Sequence, residues 1–166
     1  MALVTTLDYY IQNAKKDRVG AMVKRDGQYV GVTWAEMVER SKKIAAACVQ
    51  QGLPFGGRVA LLANTSLDWV IAEMGIVWAG GIVVPIYPSS IESECRYIVE
   101  NSECFAVFTE NAAQTEKFVS AELKSVQCIV QMTGALARSS ARYMSIEDFT
   151  KVEVAKFEEE LAKRRN

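Results

Sequence analysis

The stretch Leu67-Asp-Trp-Val-Ile-Ala-Glu-Met-Gly-Ile-Val-Trp-Ala79 decides the fold, because only Asp68 and Glu73 are charged among its thirteen residues. A helix that is apolar on nearly every face has to be buried on nearly every face. Short runs rich in branched apolar side chains, 58–63 and 82–87, flank it on both sides. Strand, buried helix and strand in this order predict a βαβ unit with parallel strands.

The same region has a second interpretation, as a membrane span. Residues 69–87 carry one charge, and a spanning helix needs about 20 mostly apolar residues. Gly80-Gly81 and Pro85 interrupt the run, however, and divide it into a piece that suits a core helix and a piece that suits a core strand. We therefore expect a buried core.

Caps and periodicity predict the elements before this unit. Apolar residues at helical spacing indicate a helix over 6–15, and Arg25-Asp-Gly-Gln28 is a hairpin signal because Asp-Gly tolerates positive φ. Thr33-Trp-Ala-Glu36 has the pattern of a capping box, which opens a helix that Gly52 ends. Within the central unit itself, Thr65, Ser66 and Asp68 supply helix-start chemistry.

The elements after it follow from the same signals. Ser89-Ser-Ile-Glu92 is read as a second capping box, and Asn111 as the cap of a helix with Phe118, Val119 and Leu123 on its inward face. The remaining predictions are strands over 105–108 and 126–130, a loop over 133–142, a short helix from Ser145 and a charged helix over 152–165.

Alternation of strands and helices predicts one doubly wound α/β domain over residues 1–166. Its sheet is expected to be mostly parallel, with helices on both faces and an N-terminal hairpin at the edge. We divide it into a helix and hairpin (1–32), a βαβ core (33–132) and a loop with terminal helices (133–166).

Composition limits the function. The chain has a net charge of −1 and no basic patch, which argues against nucleic-acid binding. It contains no histidine and four widely spaced cysteines, so neither a metal-ligand pattern nor a Ser-His-Asp or Cys-His set is available. The absence of a visible signal peptide predicts reduced thiols and a cytoplasmic location. Gly56-Gly57 and Gly80-Gly81 lack the pattern of a phosphate-binding loop.

A resemblance to a known family indicates a function, which composition and motif spacing alone do not. Thr33-Trp-Ala-Glu-Met37, the Ala-rich helix after it and Gly57-Arg-Val-Ala-Leu-Leu-Ala-Asn64 resemble the opening of the adenylate-forming synthetases, which include acyl-CoA synthetases, luciferases and peptide-synthetase adenylation domains. Val77-Trp-Ala-Gly-Gly-Ile-Val-Val-Pro-Ile-Tyr87 is similar to a core motif of that family. Pro85-Ile-Tyr-Pro88 and 102–108 look like the long-chain fatty acyl-CoA synthetase branch. The resemblance covers roughly 6–150 and implies the first subdomain of that fold.

This resemblance implies an acid–thiol ligase that uses ATP, Mg²⁺ and coenzyme A to convert a fatty acid to acyl-CoA through an acyl-adenylate. The family's catalytic parts are a Ser/Thr/Gly-rich loop ending in Pro-Lys-Gly, an aromatic-Gly-x-Thr-Glu stretch, a ribose-binding Asp and a Lys on a C-terminal lid. None occurs here, and the phosphate loop would be expected soon after Asn166. We assign no catalytic, cofactor-binding or metal-ligating residue.

Three interpretations stay open: the N-terminal portion of a long-chain fatty acid–CoA ligase, incomplete on its own; a free-standing module that binds an acyl or nucleotide ligand at the carboxyl edge of its sheet; and a non-catalytic dimerisation domain. In the first, the partner is the remainder of the enzyme, and the parent is expected in the cytoplasm, with peripheral contact to a membrane as an option that the sequence leaves open. A homodimer is also expected, formed through an outer helix face that carries Trp69, Val70, Glu73, Met74, Val77 and Trp78.

Overall fold

The structure, a computed structural model, describes residues 5–16, 18–119, 122–138 and 140–164. Its elements follow in the order α1 (Thr6–Ala14), β1 (Val19–Arg25), β2 (Gln28–Thr33), α2 (Trp34–Gln50), β3 (Arg58–Leu62), α3 (Leu67–Trp78), β4 (Ile82–Ile86), α4 (Glu92–Asn101), β5 (Ala106–Thr109), α5 (Ala112–Glu116), β6 (Cys128–Gln131), β7 (Tyr143–Ser145), α6 (Ile146–Phe149), a 3₁₀ turn (Val154–Phe157) and α7 (Glu158–Arg164).

Within these residues, five strands form a parallel sheet in the order β4-β3-β5-β6-β7. The chain moves outward from β3 to β4 through α3 and then returns past β3 to β5 through α4. Right-handed crossovers in opposite directions place these two helices on opposite faces, so the predicted doubly wound α/β fold is confirmed. The N-terminal hairpin β1–β2 is a separate two-stranded antiparallel sheet and does not extend the main one.

Alternate residues of the central strand β3 enter two separate cores. Val59 and Leu61 pack on the face covered by α1, α2 and α3, whereas Ala60 and Leu62 pack on the face covered by α4, Phe118, Leu123 and Val126. Both faces of β3 are therefore buried, which is why its sequence is a continuous apolar run and does not alternate. No helix in the described ranges is long and apolar enough to cross a bilayer.

The predicted caps explain where α2 and α3 begin and end. The Thr33 hydroxyl accepts the Glu36 N–H, and the Glu36 carboxylate accepts the Thr33 N–H at 2.7 Å, so the capping box is present. Gly52 follows α2 with a φ of +87°, the left-handed conformation that favours glycine at this position. Ser66 caps α3 by accepting the Trp69 N–H at 3.1 Å.

Helices α2 and α3 pack unusually closely. A Cβ atom added at Gly75 would lie 2.7 Å from the Ile44 Cβ, so a larger residue there would collide with α2. The Ser41 hydroxyl on α2 donates to the Ile71 carbonyl at 3.0 Å, which gives this polar side chain a partner inside the core.

This packing contradicts the predicted apolar patch on the outer side of α3. Met74 and Trp78 are buried, and Trp69 and Val70 are half-buried. Val77 is the one residue of that set that is classed as exposed, at 40%. Because α2 packs closely against α3 at Ile71 and Gly75 and most of this set is buried or half-buried, α3 does not present the apolar surface proposed for dimerisation.

Three local predictions were also wrong. Asn111 caps α5 as predicted, but the helix ends at Glu116, so Phe118, Val119 and Leu123 lie beyond it. Helix α4 begins at Glu92, and Glu94 rather than Ser89 supplies its cap, accepting the Ile91 N–H at 3.2 Å. Ser89 and Ser90 instead lie in a turn, and the Ser90 carbonyl accepts a hydrogen bond from the Lys117 ammonium group. Strand β7 was not predicted. The predicted helix over 152–165 is a 3₁₀ turn followed by α7, and its last residue lies outside the described ranges.

Arg164 joins α7 to the ends of two other helices. Its Nη1 donates to the carbonyls of Leu53 and Ala79 at 2.8 and 2.9 Å, and its Nε donates to Glu160.

Arg164→Gln should lower the free energy of unfolding, measured in urea, by about 1–3 kcal/mol, because both carbonyls lose a charged donor. Lys163→Gln is the matched control, since Lys163 makes an exposed pair with Glu159. Equal losses in the two variants would contradict this role.

Candidate binding site at the carboxyl edge of the sheet

The strand order creates a switch point between β3 and β5. The chain leaves the carboxyl end of β3 towards β4 on one side, and it leaves the end of β5 towards β6 on the other. In doubly wound sheets, ligands bind in the crevice outside the strand ends at such a point. The segments 63–65 and 110–111 lie at this crevice.

A hydrogen-bonded bridge closes the crevice. The Glu110 carboxylate accepts the backbone N–H of Asn64 at 3.0 Å and its Nδ2 at 2.7 Å. The carbonyl of Glu110 accepts the Thr133 hydroxyl at 2.7 Å. These contacts tie the ends of β3, β5 and β6 together, so the switch point is occupied by the protein's own side chains.

A buried polar cluster supports this edge from below. The Thr109 and Thr115 hydroxyls lie 2.6 Å apart, and Thr115 donates to Gln131 Oε1 at 3.2 Å. The Gln131 amide nitrogen donates to the carbonyls of Thr133 and Ala135, both at 2.8 Å. Because Gln131 is the last residue of β6 and is fully buried, it fixes the path of the loop that follows the strand.

An open cleft of about 370 Å³ lies beside the bridge, between the ends of β3 and β4. This volume is at the lower end of the range for small-molecule sites. Its walls combine aromatic and proline side chains with a few polar groups, and they are formed by Ala63, Asn64, Thr65, Trp69, Pro85, Ile86, Tyr87 and Pro88. Such a lining can hold an apolar or flat ligand and orient it through Asn64, Thr65 and the Tyr87 hydroxyl.

Lys117 fixes one wall of the cleft. Its ammonium group donates to the carbonyls of Pro88 and Ser90 at 2.8 and 2.7 Å. Arg96 Nε donates in turn to the Lys117 carbonyl at 3.1 Å. The loop after β4 is thereby attached to α4 and to the end of α5, so the cleft has a defined shape.

Burial makes the four cysteines poor nucleophiles at neutral pH. All are buried, and desolvation raises the pKa of each thiol, to about 11 for Cys104 and Cys128. The residues that the structure describes contain no cluster of three or more His, Cys, Asp or Glu that could hold a metal ion. The absence of an assigned catalytic residue stays a prediction.

Sequence reasoning missed Asn64, Glu110 and Gln131. Each lies at or directly after the end of a parallel strand, and that position was the available signal. Asn64 and Glu110 are 46 residues apart, so their contact required the strand order, which the sequence did not provide.

Comparison with known proteins identifies the family. Residues 11–163 match the AMP-binding enzyme family. Among curated relatives, the long-chain-fatty-acid–CoA ligase ACSBG2 of Rattus norvegicus is 27% identical over 133 residues, which cover 78% of this chain and 20% of the relative. FadD15 of Mycobacterium tuberculosis, also a long-chain-fatty-acid–CoA ligase, is 26% identical over 112 residues, 66% of this chain and 19% of the relative.

Solved structures share the fold. A Rhodopseudomonas palustris protein described as a long-chain-fatty-acid CoA ligase superposes with a TM-score of 0.72 at 20% identity, covering 87% of this chain and 36% of that one. Coronafacic acid ligase of Pectobacterium brasiliense gives 0.77 at 11% identity, covering 90% and 29%. The chain spans about a fifth of the length of the curated relatives. With a match that extends over nearly its whole length, this chain belongs to the AMP-binding enzyme family.

Proposed function

We propose that the chain is the N-terminal portion of a long-chain fatty acid–CoA ligase. The proposed reaction joins a fatty acid to coenzyme A with conversion of ATP to AMP and pyrophosphate, through an acyl-adenylate. The observation that carries the proposal is the family match over 11–163, together with long-chain ligases among the relatives that cover most of the chain.

The chain alone is proposed to be inactive. Adenylation depends on stabilising phosphate charge, and the family's phosphate loop, ribose-binding Asp and lid Lys do not occur in these 166 residues. ATP, Mg²⁺ and coenzyme A are therefore cofactors of the parent enzyme. The described residues do not fit a Mg²⁺ site, since they provide no suitable cluster of ligands, and we assign no step to the metal.

The remainder of the enzyme is the proposed partner. The edge strand β4 supports this, because Ile82 at one end and Tyr87 at the other are exposed, as is the nearby Phe55. Pro85 lies in the same strand and lacks an N–H, which suits an edge position. The parent is proposed to work in the cytoplasm with peripheral contact to a membrane, where its fatty acid partitions.

A binding module is the second candidate function, and the cleft beside Asn64 favours it. In that case the chain would bind an acyl or nucleotide ligand without catalysing a reaction. A non-catalytic dimerisation domain is the third candidate function, and no surface of α3 supports it.

Reading the transcript beyond the codon of Asn166 separates these candidates. A frame that continues into a Ser/Thr/Gly-rich loop with Pro-Lys-Gly supports the ligase, and a stop codon favours the other two.

The 166-residue chain should show no exchange of labelled pyrophosphate into ATP with Mg²⁺ and a long-chain fatty acid. The longest polypeptide encoded by the same frame should show exchange that depends on the fatty acid. Heat-treated protein is the control for the first measurement, and acetate in place of the fatty acid is the control for the second. Exchange by the short chain above the heated sample would contradict its proposed inactivity. A longer polypeptide with the family's phosphate loop and no exchange would contradict the ligase proposal.

A further inference from the structure

The outer face of the β1–β2 hairpin is an apolar surface that the described part of the protein leaves uncovered. Val19, Met22 and Tyr29 are 52%, 57% and 69% exposed. Met22 is paired with Gly31, and Lys24 with Tyr29, and directly paired residues of an antiparallel ladder lie on the same face. A Cβ added at Gly31 would contact Val19 and Met22, so these residues are neighbours. We call Val19, Met22, Lys24, Tyr29 and Gly31 the outer hairpin face.

The opposite face of the hairpin explains why the outer one points away from the protein. Ala21 and Val23 pack against the core, and Val32 is buried in it. Successive side chains of a strand point to opposite sides, so Met22 and Lys24 face away from α2, and an irregularity in the ladder between Val19 and Ala21 places Val19 on their side. Burial of the inner face fixes the register, and a slip of one residue would expose Val32.

The hairpin segment has an excess of basic residues, although Glu36 and Glu39 of α2 line the same hollow as Arg25 and Gly31. Residues 15–30 contain five basic and two acidic residues, a net charge of +3, whereas the whole chain has −1. Lys24 lies on the face itself, and Arg25 follows it beside the turn. Lys16 and Arg18 lie at the base of the hairpin directly before Val19, and both are exposed. Asp26 at the turn is the exposed acid of this described segment.

We propose that the outer hairpin face docks on an anionic lipid surface. Val19, Met22 and the Tyr29 ring enter the headgroup region, and Lys24 and the basic residues at the base of the hairpin contact lipid phosphates. Membrane affinity at an interface grows with buried apolar area and with attraction between basic residues and anionic lipid, and this face offers both. The inference rests on the proposed function, whose membrane contact it assigns to a surface and a lipid class.

The other possible occupants are a second copy of this chain and another protein segment. Either would bury the apolar residues, but the excess of positive charge over residues 15–30 matches an anionic surface better than a chain whose net charge is −1. The charge therefore favours lipid. The experiment is arranged so that pairing of two copies appears as a separate result.

The test is flotation of the 166-residue chain with vesicles of equal parts phosphatidylcholine and phosphatidylglycerol, and with vesicles of phosphatidylcholine alone. ATP and coenzyme A are omitted, so the result is independent of ligase activity. We expect binding to the anionic vesicles that weakens as salt is raised, with little binding to the neutral ones. Lys24→Gln should lower the partition coefficient about fivefold, the factor for one basic residue near an anionic surface.

Matched variants separate this face from the general surface. Tyr29→Glu should abolish flotation, whereas Tyr97→Glu should not, although Tyr97 is similarly exposed at 66% and lies on α4. Lys163→Gln, which removes an exposed lysine on α7, is the control for Lys24→Gln. Unfolding in urea shows whether each variant is folded.

Three results would overturn the proposal. They are equal binding to neutral and anionic vesicles, equal losses for Tyr29→Glu and Tyr97→Glu, and a dimer in light scattering that Tyr29→Glu dissociates while flotation is absent. In each case the pyrophosphate exchange of a longer polypeptide is unaffected, so the ligase proposal stands or falls separately.

Discussion

Replacing Trp78 by alanine is expected to lower the free energy of unfolding by about 3–5 kcal/mol, the usual cost of removing a large aromatic side chain from a core. Trp78 is buried at the last residue of α3. The Lys42 ammonium group on α2 lies 6.0 Å from the centre of its ring and pairs with Glu158 at the start of α7. Urea unfolding followed by circular dichroism gives the measurement.

Trp69→Ala is the matched control on the same helix. Trp69 is half-buried and lines the open cleft, so truncation there removes less buried area and leaves a hollow that water can fill. We expect a loss of at most about half that of Trp78→Ala. If Trp69→Ala costs as much as Trp78→Ala, or Trp78→Ala costs under about 1 kcal/mol, the description of α3 is wrong.

The second large effect is expected at Gln131. Gln131→Ala should cost about 2–4 kcal/mol, because Thr115 and the backbone of the following loop lose a buried partner together. Gln131→Leu keeps the volume and removes the hydrogen bonds, so it should cost a similar amount. Hydrogen exchange should also show faster exchange at the Ala137 N–H, which donates to Gln131 Oε1 at 3.1 Å.

Gln127→Ala is the control for this prediction. Gln127 lies just before β6 and is exposed, and its side chain bonds to the Ser125 carbonyl at 3.3 Å. We expect a change within about 0.5 kcal/mol. A stable Gln131→Leu variant with unchanged exchange at Ala137 would show that the loop is held by its other contacts.

Elements that carry their own signals could be predicted from the sequence. Helix α2 is one, because Thr33 and Glu36 form a box within four residues and Gly52 ends the helix with a positive φ. Strand β3 is another, because burial on both faces requires a continuous apolar run. Each of these signals is local, so no knowledge of distant contacts was needed.

The elements that were missed depend on distant partners. Strand β7 has three residues and no alternation, and it exists because it pairs with β6. Helix α4 begins at Glu92, two residues later than a cap at Ser89 would place it, and Lys117 instead bonds to the Ser90 carbonyl. Helix α3 contacts α2 through the close approach at Gly75. Because α3 is apolar on nearly every side, its sequence pattern does not indicate which side makes this contact.

For the candidate site, the sequence predicts the position in the fold but not the contacts or the shape of the cleft. The carboxyl edge of the sheet follows from the fold class, but the bridge between Asn64 and Glu110 joins two segments that become neighbours through the strand order. The cleft likewise needs the loop after β4 in its final position, which Lys117 determines. Chemistry at the site could not be predicted, because the residues present include none of the family's catalytic groups.

The bonds of Arg164 have a consequence for the order in which the domain folds. They link Arg164 to Leu53, which lies 111 positions earlier in the chain, and to Ala79, which lies 85 positions earlier. The caps of α2 and α3, in contrast, act within four residues. Closing a long loop has a large entropic cost that must be met before its contacts form, so contacts of this kind raise contact order and slow folding. The βαβ core can therefore assemble first, with the carbonyls of Leu53 and Ala79 still hydrated, and α7 completes the native state as a late step. Variants at Arg164 should accordingly change the unfolding rate far more than the folding rate.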